Sequence, residues 1–281
     1  MYLKPDGRTI FTDVKPEDVA PFVLISVHDA LNFEADPTEV IGKMLQGTRL
    51  VGNSLMYKVC TGEYKGVPVS VISTGSGGPT RELPMADLIN FTKAHTVIDI
   101  GSAGTYQDFV ELGDLTISTG EIRSEGTSKE YVRAEYPALA HHEVIMALIE
   151  AAEKLGYRYH GGVTRSDDSI YLGSSMPVRG YLPQDQVNTR EYWRQTGALN
   201  VQREAAIILT LCNLFGLRGG SIRHVGRNFV TGKHKPYPYS IENAYMTALE
   251  AIAVLAEWDY DKRGAQRKYW CPSLSYEKKR K

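Results

Sequence analysis

The sequence contains few cysteines, little excess charge of either sign and no long apolar run. Its cysteines, Cys60, Cys212 and Cys271, have neither the spacing of a metal site nor a C-x-x-C motif, which is typical of a protein from a reducing compartment. The formal net charge of −1 gives no general attraction to nucleic acid. No apolar segment is long enough to cross a membrane, and the first residues do not form an apolar signal segment. We therefore expect a cytoplasmic protein without nucleic-acid or membrane partners.

Linkers rich in proline, glycine or serine and internal repeats are also missing. We therefore expect residues 1–262 to form a single domain, followed by a basic C-terminal tail over 263–281. Four of the last five residues are Lys or Arg. A run of like charge at a chain end is typical of a solvated tail.

Short apolar runs that are typical of strands alternate with helical patterns between residues 20 and 258. The predicted strands cover 22–26, 55–60, 67–74, 95–101, 114–119 and 219–225. The predicted helices cover 85–94, 141–156, 203–216 and 240–259. This alternation predicts an α/β protein whose largely parallel sheet carries helices on its faces. The stretch 165–195 has no clear pattern but several aromatic residues, so we interpret it as a lid or a binding loop.

The stretch VISTGSGGPT at 71–80 joins a predicted strand to a helical pattern through three glycines in four residues, Gly75, Gly77 and Gly78. Such a turn brings backbone N–H groups close to a ligand, and an anion suits the start of a helix. The spacing differs from the phosphate loop G-x-x-x-x-G-K-[ST] and from the dinucleotide motif G-x-G-x-x-G. Two interpretations are left, the edge of a different small-molecule site and a simple tight turn.

Five segments follow one another in a recognisable order: VSVISTGSGGPT, VIDIGSAGTYQDFVELGDLTIST, RSEGTSKEYVRAEYPA, YHGGVTRSDDSIYLG and GALNVQREAAIILTLCNLFGLRGGSI. The order resembles the nucleoside phosphorylase family, closest to its uridine phosphorylase branch, over residues 14–258. The resemblance implies a three-layer α/β/α fold around a mixed, partly barrel-like sheet. It also implies a homodimer or a hexamer built as a trimer of dimers, in which neighbouring subunits lend residues to the site. Members cleave the N-glycosidic bond of a nucleoside, most often by attack of orthophosphate on the sugar carbon.

The resemblance gives roles to several residues. Cleavage builds positive charge on the sugar, so the site needs a carboxylate near the sugar hydroxyls. Glu204 in NVQREAA matches the family's ribose-binding glutamate; without the resemblance, it is a favourable dipole partner at a helix start. Ser102 matches a hydroxyl residue that contacts phosphate and ribose. The turn of Gly75 and Gly77 then lines the edge of the site.

The chain departs from the family at the nucleophile site. Arginine is missing from ISVHDAL, from the position of Asp99, and from GNSLMY, where the neighbouring subunit's arginine is expected. In one interpretation Asp99 or Asp29 orients water for hydrolysis, as in methylthioadenosine nucleosidases, whose turn resembles VIDIGSAG. In the other, relocated arginines rebuild the phosphate site or bind a nucleotide's 5′-phosphate, where otherwise they form surface or interface ion pairs. These arginines are Arg165, Arg203, Arg223 and Arg227.

The base site departs from the family as well. Purine-cleaving members place an aspartate where this chain has Asn228 and Phe229, which favours a pyrimidine. Ser174 and Met176 stand where uridine phosphorylases have their uracil-reading glutamine and arginine. Ile170 replaces the aromatic residue that stacks on the base. Tyr171 supplies a ring to the base in one interpretation and packs in the core or a lid in the other.

We therefore predict an enzyme of pyrimidine salvage that cleaves the N-glycosidic bond of a nucleoside by phosphorolysis. Hydrolysis of a nucleoside or nucleotide is one alternative, and a non-catalytic ligand-binding paralogue is another. Orthophosphate is the expected co-substrate, with no cofactor and no metal. The expected catalytic residues are Glu204, Asp99 and Arg203. The expected substrate-binding residues are Gly75, Gly77, Ser102, Ile170, Tyr171, Gln202, Arg227, Asn228 and Asp29.

Overall fold

The computed structural model describes residues 2–28 and 35–279, with side chains up to 275. Its strands are β1 (Phe22–Val27), β2 (Gln46–Asn53), β3 (Lys58–Tyr64), β4 (Val67–Thr74), β5 (Thr96–Thr105), β6 (Leu115–Arg123), β7 (Ala138–Leu139), β8 (Tyr159–Ser166), β9 (Asn200–Gln202) and β10 (Arg218–Asn228). Its helices are α1 (Pro37–Gly42), α2 (Gly78–Phe91), α3 (Thr127–Tyr131), α4 (His142–Leu155), α5 (Thr189–Gln195), α6 (Ala205–Phe215), α7 (Glu242–Gly264) and α8 (Pro272–Lys279). None of these helices is both long and apolar enough to span a bilayer.

All the strands belong to one mixed sheet that closes on itself at one end. The order is β10-β6-β8-β9-β5-β1-β4-β3-β2, and β10 also pairs with β5. This second pairing closes β5, β9, β8, β6 and β10 into a small barrel, from which the remaining strands extend as an open sheet. The expected mixed, partly barrel-like sheet is therefore confirmed.

The central strands are buried on both faces, as parallel strands covered by helices must be. Leu24 of β1 and Ile98 of β5 face a core with α4 and α7, whereas Val23 and Val97 face a core with α2 and α6. Neighbouring residues of one strand thus point into two different helical layers. This gives the predicted three-layer α/β/α arrangement.

Most predicted elements are present, with shifted ends. Helix α2 begins at Gly78, seven residues before the predicted start, because Pro84 within the helix conceals the periodicity. Strands β2 and β8 were not predicted: exposed residues dominate the first, and two glycines interrupt the second. The stretch 165–195 is not wholly irregular, because it contains α5.

The topology brings four strand ends to one edge of the sheet. Strands β1, β4, β5 and β10 run parallel to one another, with Val27 beside Thr74 and His224 beside Ser102. Ligands of open parallel sheets bind outside the carboxyl ends of the strands. The glycine turn after β4 and the GSAG stretch of β5 both lie at this edge.

The C-terminal segment packs against the opposite edge of the sheet. The indole of Trp270 stacks on that of Trp258 in α7, with ring centroids 3.9 Å apart. The backbone N–H of Trp270 donates to the Glu143 carboxylate at 2.8 Å, and Leu274 is buried. We expected a solvated tail, but residues 265–275 return to the body of the protein because these apolar rings and Leu274 gain burial there.

Trp270→Ala tests this docking. Loss of the stacked indole should lower the free energy of unfolding by about 2 to 3 kcal/mol, somewhat less than for a fully buried tryptophan. The measurement is chemical denaturation, with Lys268→Ala as a control on an exposed neighbour that should change stability by less than about 0.5 kcal/mol. Equal stabilities of the Trp270 variant and the parent protein would show that the docked segment contributes nothing.

Candidate functional site

A cavity opens at the carboxyl edge of the parallel strands. Six of the residues expected to be at the site line it: Ser102, Ile170, Gln202, Arg203, Glu204 and Arg227. Ser76, Asp167, Ser169, Met176, Phe229, Tyr237 and Tyr239 line it as well. The segments that meet here are far apart in sequence, and the order of the strands in the sheet brings them together.

Glu204 stands at the start of α6 with its carboxylate at the cavity wall. One oxygen accepts from the N–H of Gly77 at 2.8 Å and from the Ser76 hydroxyl at 3.0 Å. The other accepts from the N–H of Arg203 at 3.2 Å and lies 3.8 Å from the Arg223 guanidinium. The second oxygen keeps acceptor capacity, because a carboxylate oxygen takes about two hydrogen bonds.

The electrostatic surroundings keep Glu204 ionised. Burial raises the pKa of its carboxyl, but the charges of Arg81 and Arg223 outweigh this effect, together with the hydrogen bonds from Gly77 and Ser76. The net result is a pKa below the usual value. A buried, ionised carboxylate is well suited to accept hydrogen bonds from vicinal hydroxyl groups.

The glycine turn supports Glu204 more than it touches the cavity. Gly77 has a positive φ of 98°, which residues with a side chain rarely adopt. This backbone conformation directs the N–H of Gly77 at the Glu204 carboxylate. The carbonyl of Gly75 accepts from Arg81 at 3.0 Å. Of this turn, the cavity lining includes Ser76 but neither Gly75 nor Gly77. Ser76 was not predicted, although its place between two site glycines pointed to it.

Asp99 lies beneath the cavity rather than in it. Its carboxylate is fully buried, accepts from Arg81 Nε at 3.2 Å, and pairs at short range with Arg223. Neither partner is exposed. Because both oxygens are engaged by guanidinium groups and Asp99 does not line the cavity, this geometry does not support a role in activating water.

Gln202 connects the cavity floor to the barrel interior. Its carbonyl oxygen accepts from the N–H of Ala205 at 3.0 Å and from Arg223 at 3.2 Å. Its amide nitrogen donates to Ser166 and to the buried Glu121. Both donors are used inside the protein, so the amide of Gln202 positions its neighbours instead of reaching into the cavity.

Glu121 is the buried acid of this network. Burial raises the pKa of its carboxyl to about 7, although hydrogen bonds from Thr164 and Ser118 and the charge of Arg223 act in the opposite direction. The group therefore changes its charge near neutral pH. Gln202 connects it by hydrogen bonds to the backbone N–H of Glu204.

The other end of the cavity is aromatic and cationic. The guanidinium groups of Arg227 and Arg190 lie over the ring of Phe229, at 5.3 and 4.7 Å from its centroid. Arg227 also contacts the Met176 sulfur at 3.5 Å. Tyr237 and Tyr239 complete this wall; their loop has no periodicity in the sequence that could have indicated it.

Two expected residues, Tyr171 and Asn228, are not at this wall. Tyr171 is 58% exposed and does not line the cavity. The amide of Asn228 donates to the carbonyls of Gln107 and Val110, at 3.0 and 2.8 Å, and so holds a loop. Asp29 lies outside the described residues.

Arg165 and Asp167 hold the segment that leads into Ile170. They form a close ion pair, and Arg165 also donates to the Gly173 carbonyl at 2.9 Å and the Ser124 hydroxyl at 2.9 Å. With its donors engaged in this way, Arg165 acts as a clamp on the loop.

Comparison with known proteins shows which family the chain resembles and which proteins are similar to it. The family model described as "Phosphorylase superfamily" matches residues 37–257. The chain is 43% identical to the uridine phosphorylase of Thermococcus kodakarensis over 96% of this chain and 94% of that protein. It is 31% identical to the uridine phosphorylase of Escherichia coli over 80% of this chain and 87% of that protein. It is also 31% identical to the guanosine phosphorylase of Halorubrum lacusprofundi, over 74% and 82% of the two chains.

Glu121→Gln tests the buried acid. Glu121 loses its proton near pH 4.5 in the unfolded chain and near pH 7 in the folded one. Relative to the glutamine variant, the parent protein should therefore lose stability as the pH rises from 4.5 to 7, by up to about 3 kcal/mol. Above pH 7 the difference should stay constant. The measurement is chemical denaturation of both proteins across this range; parallel stability curves would refute the raised pKa.

Proposed function

The chain belongs to the phosphorylase superfamily, and from this membership we propose that it is a nucleoside phosphorylase that acts on uridine or a related pyrimidine nucleoside. Orthophosphate is the proposed co-substrate, and the products are the free base and a pentose 1-phosphate. The observation that carries the proposal is Glu204, an ionised, buried carboxylate at the cavity wall with one oxygen that can accept a further hydrogen bond. The similarity to the uridine phosphorylases of Thermococcus kodakarensis and Escherichia coli supports the choice of base.

The chemistry needs charge stabilisation on both sides of the sugar. An oxygen of phosphate forms a bond to the sugar carbon as the bond from that carbon to the base nitrogen breaks, and its electron pair leaves with the base. Glu204 holds the sugar hydroxyls and stabilises the positive charge that builds on the ring. Ser102, in the carboxyl-terminal half of β5, lines the same cavity, and its hydroxyl suits contact with sugar or phosphate.

The base end favours a leaving group that carries carbonyl oxygens. Arg227 brings guanidinium donors to this wall, and donors stabilise the negative charge that develops on a uracil ring. A purine that must be protonated needs an acid, but Asn228 is turned away to hold the loop at Gln107 and Val110. These contacts support a pyrimidine.

The experiment that tests the function is a turnover assay with uridine, with and without orthophosphate, in which the sugar product is identified by mass. We expect uracil and ribose 1-phosphate, formed only when orthophosphate is present. Guanosine serves as the comparison substrate, since one similar protein is a guanosine phosphorylase. Free ribose formed at an equal rate without phosphate would instead identify a hydrolase.

Glu204→Gln extends this assay to the proposed carboxylate. The change keeps the shape but removes the negative charge, so the turnover number should fall by roughly 100-fold or more. Glu130→Gln, on the exposed face of α3, is the matched control and should keep full activity. A Glu204 variant that folds normally and turns over like the control would exclude this role.

We also propose that the chain assembles into a homodimer or a hexamer. Leu50, Leu55 and Met56 present exposed apolar side chains around the connection between β2 and β3. Clusters of this kind are typical of protein contact surfaces. The location in the cytoplasm stays a prediction.

Light scattering should give two or six times the chain mass of 31.3 kDa. Leu55→Glu should shift the mass towards the monomer because it places a charge in the apolar contact. Tyr260→Glu, at an exposed aromatic elsewhere, should leave the mass unchanged. A parent protein that is monomeric at micromolar concentration would rule the assembly out.

A further inference from the structure

Three arginines around Glu204 carry buried N–H groups that have no acceptor among the described residues. The atoms are Arg81 Nη2, Arg203 Nε, and both Nε and Nη1 of Arg223. A buried guanidinium donor without an acceptor is unfavourable, and the unpaired Nε of Arg203, the arginine at the cavity, points to an anionic ligand there. Arg81 belongs to α2 and Arg223 to β10, whereas Arg203 directly precedes Glu204.

Arg203 is the one of the three that lines the cavity. Its guanidinium donates to the Ser76 hydroxyl at 3.2 Å and lies against Gly77, where a Cβ would come within 3.5 Å of Nη2. Ser76 and Gly77 also hold Glu204. Arg203 therefore lies next to the carboxylate proposed to bind the sugar, within reach of a group that attacks the same sugar.

Arg223 lies directly behind the cavity floor. A Cβ on Gly101 would come within 3.0 Å of its Nη1, so only the missing side chain lets the guanidinium approach this closely. Gly101 itself lines the cavity. Asp99, two residues earlier on β5, pairs with both Arg223 and Arg81 and fixes where their charges lie.

The charges at this end of the cavity do not cancel. Arg81, Arg203 and Arg223 are cationic, whereas Asp99 and Glu204 are the carboxylates in contact with them. These three positive and two negative charges, with Glu121 close to Arg223 and about half protonated near pH 7, leave a net positive charge in a region with little access to water. An anion placed beside Arg203 would meet this charge with little screening.

We propose that Arg203 binds orthophosphate directly, and that Arg81 and Arg223, both held by Asp99, are positioning residues that place fixed positive charge behind the phosphate. The proposal rests on the proposed phosphorolysis. In it, Asp99 anchors two cations and takes no part in proton transfer. In this proposal the arginines that serve phosphate stand at other positions than the family's three, which lie in ISVHDAL, at Asp99 and in GNSLMY.

Arg203→Met tests the direct contact. Loss of a charge-assisted hydrogen bond should raise the KM for orthophosphate by roughly 10- to 100-fold, with the KM for the nucleoside changed by less than about threefold. Arg203→Lys should recover part of this loss because it keeps the charge but not the paired donors. Arg194→Met, at an exposed arginine of α5, is the matched control and should leave both constants unchanged.

Asp99→Asn tests the anchoring role. Release of Arg81 and Arg223 should raise the KM for orthophosphate by roughly 10-fold, while phosphate-independent release of base stays absent. If Asp99 were the base of a hydrolase, the same variant would lose turnover without any phosphate effect, which overturns the proposal. Where Asp99→Asn does not fold, Arg223→Lys provides the same KM measurement with the positive charge kept.

A binding measurement separates this proposal from the proposed function. Orthophosphate alone should raise the melting temperature of the parent protein and of Arg194→Met, but not that of Arg203→Met. This result supports the phosphate site even if uridine is not cleaved. Uridine phosphorolysis with an unchanged phosphate KM in Arg203→Met overturns the site and leaves the function intact. Equal phosphate-induced shifts in all three proteins also overturn it.

Discussion

The pairing of Asp99 with Arg81 and Arg223 is the interaction on which the site depends. It joins α2, β5 and β10 at one buried point under the cavity, with both guanidinium groups and the carboxylate fully shielded from water. A buried charge that loses its partner is strongly destabilising, so none of the three can move independently. Because β10 also closes the barrel against β5, the electrostatic and topological constraints act on the same pair of strands.

The ionised state of Glu204 follows from this pairing. Two guanidinium groups shared with Asp99 retain enough positive charge to lower the pKa of a fully buried carboxyl. The glycine turn then adds hydrogen bonds that fix the orientation of the carboxylate. The positive charge near Glu204 comes from Arg81 of α2 and Arg223 of β10, whereas the orientation of its carboxylate comes from the glycine turn. Different parts of the fold therefore supply the two properties.

The fold was largely predictable from the sequence because its signals are local. Apolar runs identified β1, β4, β5, β6 and β10, and the succession of motifs identified Glu204 and Ser102. The partners of Asp99 were not predictable, since Arg81 and Arg223 are 18 and 124 residues away from it in the chain. From the sequence, Asp99 marked a missing arginine and a candidate for orienting water; the fold shows that its charge is neutralised by two guanidinium groups. Tyr237 and Tyr239 were missed because an irregular loop gives no periodic pattern.

The docking of the C-terminal segment has a practical consequence. Trp270 binds at Glu143, and Glu143 pairs with Arg218, the first residue of β10, so the chain returns to the amino-terminal edge of the sheet. The cavity opens at the other edge. A fused domain or a surface linker joined beyond this docked segment would therefore depart from the edge opposite the cavity of the same subunit, which makes this side the natural one for immobilisation on a solid support.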